Sequence, residues 1–220
     1  MKNDKTAKLA IEFYKKLGWK GIMALTNKEK DRDTLRFILP FLKKSDKILD
    51  MACGYGRVTF MLKKMGFYIE GIDISSNLIK EARKEAKKLK YNINFKIGDM
   101  RKLPYKNESF DKVLCLWSSF NHLLTENDQL MAINEIYRTL RFNGASVIDL
   151  PNGESKWAKK KIKEYGRIVP DRIFDNLVIN YIYDRETLTR LIKKSKFKNY
   201  IIKFSNIGSR KRIIVLLKKV

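Results

Sequence analysis

The chain has 220 residues, 44% of them hydrophobic and 33% charged, which is enough to bury a substantial core within one domain. It holds no apolar run near the length of a membrane span and no charged-then-apolar leader, so a membrane or secreted protein is not expected and a cytoplasmic one is. The 48 Lys and Arg against 24 Asp and Glu give a net charge of +24, which suits attraction to RNA, to a membrane surface or to an acidic partner, or simply a lysine-rich solvated surface.

Taken in order, Leu9, Ile11, Phe13, Tyr14 and Leu17 give an amphipathic helix over Thr6 to Leu17, which Gly18-Trp19-Lys20-Gly21 breaks. A second helix is expected over Lys28 to Leu42, with Pro40 bending or shortening its end. Ile48 and Leu49 read as a buried parallel strand with Asp50 at its carboxyl end. Ala52, Gly54 and Gly56 form a small-residue turn, after which Val58, Met61, Leu62 and Met65 fall at helical spacing. Strand two is Phe67 to Asp73. A helix over Asn77 to Lys90 follows, capped by Ser75 or Ser76, and strand three runs from Asn94 to Asp99. Phe110 to Trp117 is almost wholly apolar and therefore central, Glu126 to Leu140 is helical, and Asn143-Gly144 turns into a fifth strand, Ala145 to Leu150. Pro151 to Asn180 leaves this rhythm. Asp184 caps a helix over Arg185 to Lys194, and strands over Tyr200 to Ser205 and Arg212 to Leu217 close the chain as a hairpin around Gly208-Ser209. The β-α alternation implies a parallel sheet with right-handed crossovers.

The stretch from Ile48 to Leu62, a strand, a small-residue turn and a helix, is the usual nucleotide pocket of an open α/β sheet. A dinucleotide fingerprint would need a sixth-position glycine, where Thr59 stands. Asp50-x-Ala52-x-Gly54-x-Gly56 instead resembles the acidic-x-Gly-x-Gly-x-Gly loop of class I S-adenosylmethionine-dependent methyltransferases, with Ala52 in place of the first glycine. Asp73 ends strand two about twenty residues on, where an acid that holds ribose hydroxyls belongs. Gly98-Asp99-Met100 resembles that family's adenine-contacting element. The strand over Phe110 to Trp117 is similar to the one beneath the methionine moiety, and Leu140-Arg141-Phe142-Asn143-Gly144-Ala145 resembles a Leu-(Lys/Arg)-x-x-Gly-Gly turn.

The resemblance covers Ile48 to Leu150 and implies a fold and a ligand. The fold is an α/β, Rossmann-like, seven-stranded mixed sheet of order 3-2-1-4-5-7-6, its last strand antiparallel, with helices on both faces. The chain is then one domain over 1–220, with an N-terminal helical lid (1–44) and a small cap (151–180). The ligand is S-adenosylmethionine, held by Asp50, Ala52, Cys53, Gly54, Tyr55, Gly56, Asp73, Ile74, Asp99, Met100, Leu116 and Trp117. Backbone amides at the loop and helix N-terminus suit the cofactor's carboxylate.

Transfer from an activated sulfonium needs mostly positioning, so no universal catalytic residue is demanded. His122, the only histidine, lies just beyond strand four and is the candidate general base; packing is its plainer role. Tyr14 and Trp19 resemble lid aromatics, and Tyr14, Trp19, His122 and Trp157 are the residues expected to face the acceptor, with Tyr165 beside them in the cap. Cys53 and Cys115 fit no metal-ligand spacing, so no metal site and two reduced thiols are expected. No Asn-Pro-Pro-Tyr-like tetrad follows strand four and neither cysteine follows a proline, which disfavours methylation of nucleic-acid bases. The expected function is therefore methyl transfer to the nitrogen or oxygen of a small molecule. Two alternatives stand beside it. One is an RNA methyltransferase whose C-terminal stretch from Arg185, with 12 basic residues and one acid, forms the track; the other is a cofactor-binding but inactive partner subunit.

Overall fold

Lys47–Met51 (β1) is buried at every position after its first. It lies mid-sheet, between the parallel strands Tyr68–Asp73 (β2) and Phe110–Cys115 (β4). The computed structural model describes residues 5–220; of the expected lid over 1–44, residues 1–4 lie outside them. Phe95–Ile97 (β3) extends the sheet beyond β2, and Leu140–Pro151 (β5) pairs in parallel with β4. Asn199–Ile207 (β8) and Arg210–Lys218 (β9) form a hairpin whose second strand runs antiparallel to β5. The order is β3-β2-β1-β4-β5-β9-β8, which is 3-2-1-4-5-7-6 when the sheet's own strands are counted.

The two missing numbers belong to a separate antiparallel pair, Ile168–Ile173 (β6) and Asn176–Tyr181 (β7). Pattern reading passes over this hairpin. Pro170 interrupts the first strand's signal, and the connecting Phe174 and Asp175 sit at φ 44° and 62°, positions where a glycine would have marked the turn.

The helices end where local chemistry ends them. Lys28–Ile38 (α2) starts at Asn27, whose side chain accepts from the Lys30 amide at 2.8 Å. It stops short of the expected Leu42, because Pro40 forces a 3-10 turn over Leu39–Phe41. Arg57–Lys64 (α3) follows the loop after β1, and Ser76–Lys88 (α4) is capped by Ser75. Glu126–Thr139 (α5) is capped by Thr125, and Arg185–Lys194 (α7) opens on a reciprocal Asp184–Thr187 capping box. The first helix, Lys5–Ala24 (α1), outruns the expected Leu17: only Gly18 leaves helical geometry, at φ 62° and ψ 174°, and the chain then resumes its helix. Strand five begins at Leu140 rather than Ala145. The Asn143-Gly144 turn is an irregularity within it, with Asn143 at φ 62° and a register shift opposite Phe110 and Lys112.

Alternation along β4 and β9 divides the core. Val113, Cys115, Ile213 and Val215 face Ile136, Leu188 and Ile192, while Leu114 and Ile214 face Ile38, Val58 and Leu62. Full burial of each such side chain is worth about 1.5–3 kcal/mol. The β6–β7 pair is seated from two sides. Phe13 and Leu17 of α1 pack on Val178, and Ala158 of Lys156–Tyr165 (α6) packs with Val169 and Ile182. No helix of the described residues is long and apolar enough to cross a membrane. Among them, no group of three or more His, Cys, Asp or Glu side chains is placed to hold a metal ion, and both thiols are free.

Candidate functional site

The carboxyl ends of β1, β2 and β4 open into a cavity of about 480 Å³, walled on its far side by α1, α6 and the β6–β7 pair. A parallel sheet leaves its strand ends without partners at this edge, and the chain reverses there through loops able to place backbone and side chains around a ligand.

The loop after β1 is wound tightly. Ala52 (φ 61°), Gly54 (φ 58°) and Gly56 (φ 87°) all take left-handed conformations, and the Cys53 amide donates to the Ile72 carbonyl at 2.9 Å. For Ala52 this costs about 1–2 kcal/mol that a glycine would not incur. Gly56 is there for packing: a Cβ would stand 2.9 Å from both Phe60 and Phe95, and the residue precedes α3 without reaching the cavity wall. Asp50, Ala52, Cys53, Gly54 and Tyr55 do line it.

Asp73 is buried and held at both oxygens. Oδ2 accepts from the Gly54 amide and Oδ1 from the Ser75 amide, each at 2.8 Å. Burial pushes its pKa up, and the amides of Ser75, Gly54 and Ile74 oppose the shift. Each oxygen keeps acceptor capacity toward the cavity, which Ile74 also lines. Asp50, 3% exposed, accepts from the Thr59 hydroxyl at 2.6 Å; burial lifts its pKa to about 6 against that bond and the Arg57 charge.

Asp99 and Met100 also line the cavity, but Asp99 is already engaged. Arg101 Nε lies 3.0 Å from both of its oxygens, Arg101 Nη2 bonds Oδ2, and Arg101 Nη1 reaches Asp128 at 2.8 Å. Both Asp99 oxygens thus accept from Arg101 at the cavity wall.

Beyond β4 the expected strand stops two residues early, because Trp117 (φ 57°) and Ser118 (φ 68°) are both left-handed. Asp149 of β5 braces this turn. Its Oδ2 accepts from the Trp117 amide and its carbonyl from the Ser118 amide, both at 3.1 Å. Arg212 of β9 completes the brace, with Nε 2.5 Å from Asp149 Oδ1 and Nη2 donating to the Ser118 hydroxyl at 2.8 Å. Strain of this kind persists only where surroundings over-determine it, as they do here. Leu116 and Trp117 both face the cavity.

His122 follows on a 3-10 turn, Ser119–His122. Tyr14 Oη is 2.9 Å from its Nε2, and a backbone hydrogen bond joins it to Ile179 of β7. Burial depresses its pKa to about 4, and burial first, then the Asp73 charge, raises that of Tyr14. With the Ile179 bond occupying the other ring nitrogen, the Tyr14 hydroxyl donates to a neutral imidazole. Trp157 borders the cavity while 51% exposed. Trp19 and Tyr165 do not reach it. Trp19 directly follows Gly18, and Tyr165 stands exposed at the end of α6.

Pattern reading missed Arg57, Asn121, Arg210 and Arg212, all on the cavity wall. The two hairpin arginines had one available signal: a last strand antiparallel to its neighbours must begin where they end, at the ligand edge.

Residues 48–144 match the family model described as a methyltransferase domain. The chain is 30% identical over 115 residues to YqeM of Bacillus subtilis (strain 168), covering 52% of this chain and 46% of that protein. It is 32% identical over 119 residues to a glycine/sarcosine N-methyltransferase of Parasynechococcus marenigrum (strain WH8102), covering 53% and 42%. The chain thus spans less than half the length of these two relatives. Its fold is similar to that of the Burkholderia thailandensis 1,6-didemethyltoxoflavin-N1-methyltransferase solved with 1,6-didemethyltoxoflavin and S-adenosylhomocysteine, at TM-score 0.72 and 14% identity over 97% of this chain and 88% of that one.

Proposed function

We propose that this chain, whose residues 48–144 form a methyltransferase domain in a class I fold, transfers a methyl group from S-adenosylmethionine to a nitrogen or oxygen of a small molecule. The observation that carries the reading is Asp73: a buried carboxylate, fixed by the Gly54 amide of the ligand loop and the Ser75 amide after β2, has acceptor capacity left for a pair of adjacent hydroxyls. Asp73 would hold the ribose, the Ala52–Gly54 backbone would lie against the amino-acid end, and Met100 with Leu116 would flank the rest. Trp117 Nε1 and Asn121 Oδ1 are buried on the cavity wall without partners among the described residues, a donor and an acceptor that a bound ligand would satisfy. Bound there, the cofactor supplies an activated methyl group.

The chain's own task is to orient an acceptor and exclude water. Of the N-terminal segment, α1 acts as the lid, and 151–180 act as the cap; Phe13, Leu17, Val178 and Ile182 support a dry wall. The Tyr14–His122 pair, neutral and mutually engaged, suits the joining of lid and cap better than a free general base. A small acceptor is favoured over RNA because these elements stand across the cavity mouth, whereas a polymer needs an open track. The glycine/sarcosine and toxoflavin enzymes, which resemble this chain in sequence or in fold, act on small acceptors by name and support the same choice.

The test is transfer of labelled methyl from S-adenosylmethionine to a small-molecule extract and, separately, to total RNA. Label in a small-molecule fraction with none in RNA is expected. Stoichiometric label at one RNA position would overturn the choice of acceptor, and calorimetry showing no binding of cofactor or S-adenosylhomocysteine would overturn the whole reading.

A further inference from the structure

Three guanidinium groups meet beside Trp117, and one of them has no anion. Arg57 and Arg210 each stack on the Trp117 ring, their guanidinium carbons 4.1 Å from its centroid. Arg57 is ion-paired with Asp31 of α2, and Arg212 with Asp149. Arg210 forms no ion pair among the described residues. Its Nε donates only a long 3.3 Å bond to the Ile207 carbonyl, and its Nη2 is buried with no hydrogen-bond partner. The indole Nε1 of Trp117 is a second buried donor without a partner, on the same wall. The facing charges are Arg57, Arg212, Asp149 and, on α2, Asp33, whose carboxylate crowds Gly208 at the turn leading into β9. Burial first, then Arg212 and Arg57, depress the pKa of Arg210 against the opposing pull of Asp149 and Asp33, neither of which forms an ion pair with it.

A buried donor without a partner is unfavourable, and more so when it is charged. The planar fork of arginine matches a carboxylate at two points. We infer that Arg210 binds a carboxylate group carried by a ligand of this cavity, with the stacked Trp117 ring holding the guanidinium in place. Two ligands carry that chemistry: an acidic methyl acceptor, and the amino-acid end of the cofactor. The second source rests on the function proposed above; the first requires only the cavity. Either way Arg210 is a binding residue, positioned by β9 rather than by the loops of the methyltransferase domain.

Arg210→Gln separates the sources by calorimetry with three probes: S-adenosylhomocysteine, 5′-methylthioadenosine, which lacks the amino-acid end, and acetate. If the cofactor supplies the carboxylate, the variant binds S-adenosylhomocysteine at least about ten-fold more weakly and methylthioadenosine unchanged. If the acceptor supplies it, both nucleosides bind unchanged, while acetate binding to the protein saturated with S-adenosylhomocysteine falls at least ten-fold. Arg210→Lys, which keeps the charge and loses the fork, should fall between wild type and Arg210→Gln in whichever arm responds, and it stands in if the glutamine variant does not fold. Changes below two-fold in every arm overturn the proposal. So does an equal loss for all three probes, which would make the role structural. If the wild-type protein binds neither nucleoside, the methyltransferase reading fails by itself, and acetate binding to the unliganded protein still decides Arg210: loss in the variant supports it and no change overturns it.

Discussion

The hydroxyl of Tyr14 meets Nε2 of His122 at 2.9 Å, across 108 positions of sequence, and the same imidazole holds the backbone at Ile179. One side chain therefore ties the first helix and the β6–β7 hairpin to the segment after β4. The contact is made by an uncharged histidine, and protonating it would put an unmatched charge into an apolar wall.

Acid should therefore loosen the protein through His122. Its folded pKa of about 4 lies below the ordinary 6.5, so the unfolded chain binds more protons between those values and stability falls as pH drops from 6.5 to 4, by roughly 3 kcal/mol when complete. Asp50 acts oppositely. Its pKa is raised to about 6, so its contribution is fully present below 3.8 and is lost as pH rises through 6. The two overlap and partly cancel in the wild-type protein. Urea unfolding at pH 7.0 and 4.5 should show His122→Gln gaining stability at the lower pH relative to wild type and Asp50→Asn losing it. Parallel profiles for all three would refute the assignment.

Asp73→Ala strands the Gly54 and Ser75 amides as well as any ligand hydroxyls. S-adenosylhomocysteine should bind about 1–3 kcal/mol more weakly by calorimetry, about five- to 150-fold. Unchanged affinity would remove Asp73 from the site.

Asp149 and Arg212 are almost wholly buried, at 2% and 7% exposure, so removing either one strands the other's charge. Asp149→Ala or Arg212→Met should each cost about 3–5 kcal/mol in urea unfolding, and the double variant less than the sum. Strict additivity would mean that the two groups do not act as a unit.

Ala52→Gly should stabilise the protein slightly. Relief of the left-handed alanine, about 1–2 kcal/mol, exceeds the entropic cost of the glycine, about 0.5–1 kcal/mol. A rise of a few degrees in Tm is expected, and a fall would show that the methyl makes a contact outweighing its strain.

The ligand loop and the sheet were legible in the sequence because both rest on local rules. Apolar runs at 48–49 and 110–117 can only be buried strands, small residues at 52, 54 and 56 permit positive φ, and repeated β-α alternation dictates parallel pairing. Asp73 was legible for the same reason, since its place follows from counting along one strand and one helix. Other features required the folded molecule. The β6–β7 hairpin turns on Phe174 and Asp175, with no glycine to mark it. The partnership of His122 with Tyr14, the diversion of Asp99 to Arg101, the brace of Asp149 and Arg212, and the unpaired Arg210 over Trp117 are contacts between elements distant in sequence or ion pairs chosen among several candidates. Periodicity reports which face of an element is buried. It cannot report which charge meets which, because that depends on side chains converging through the closed sheet, and there the tertiary structure alone decides.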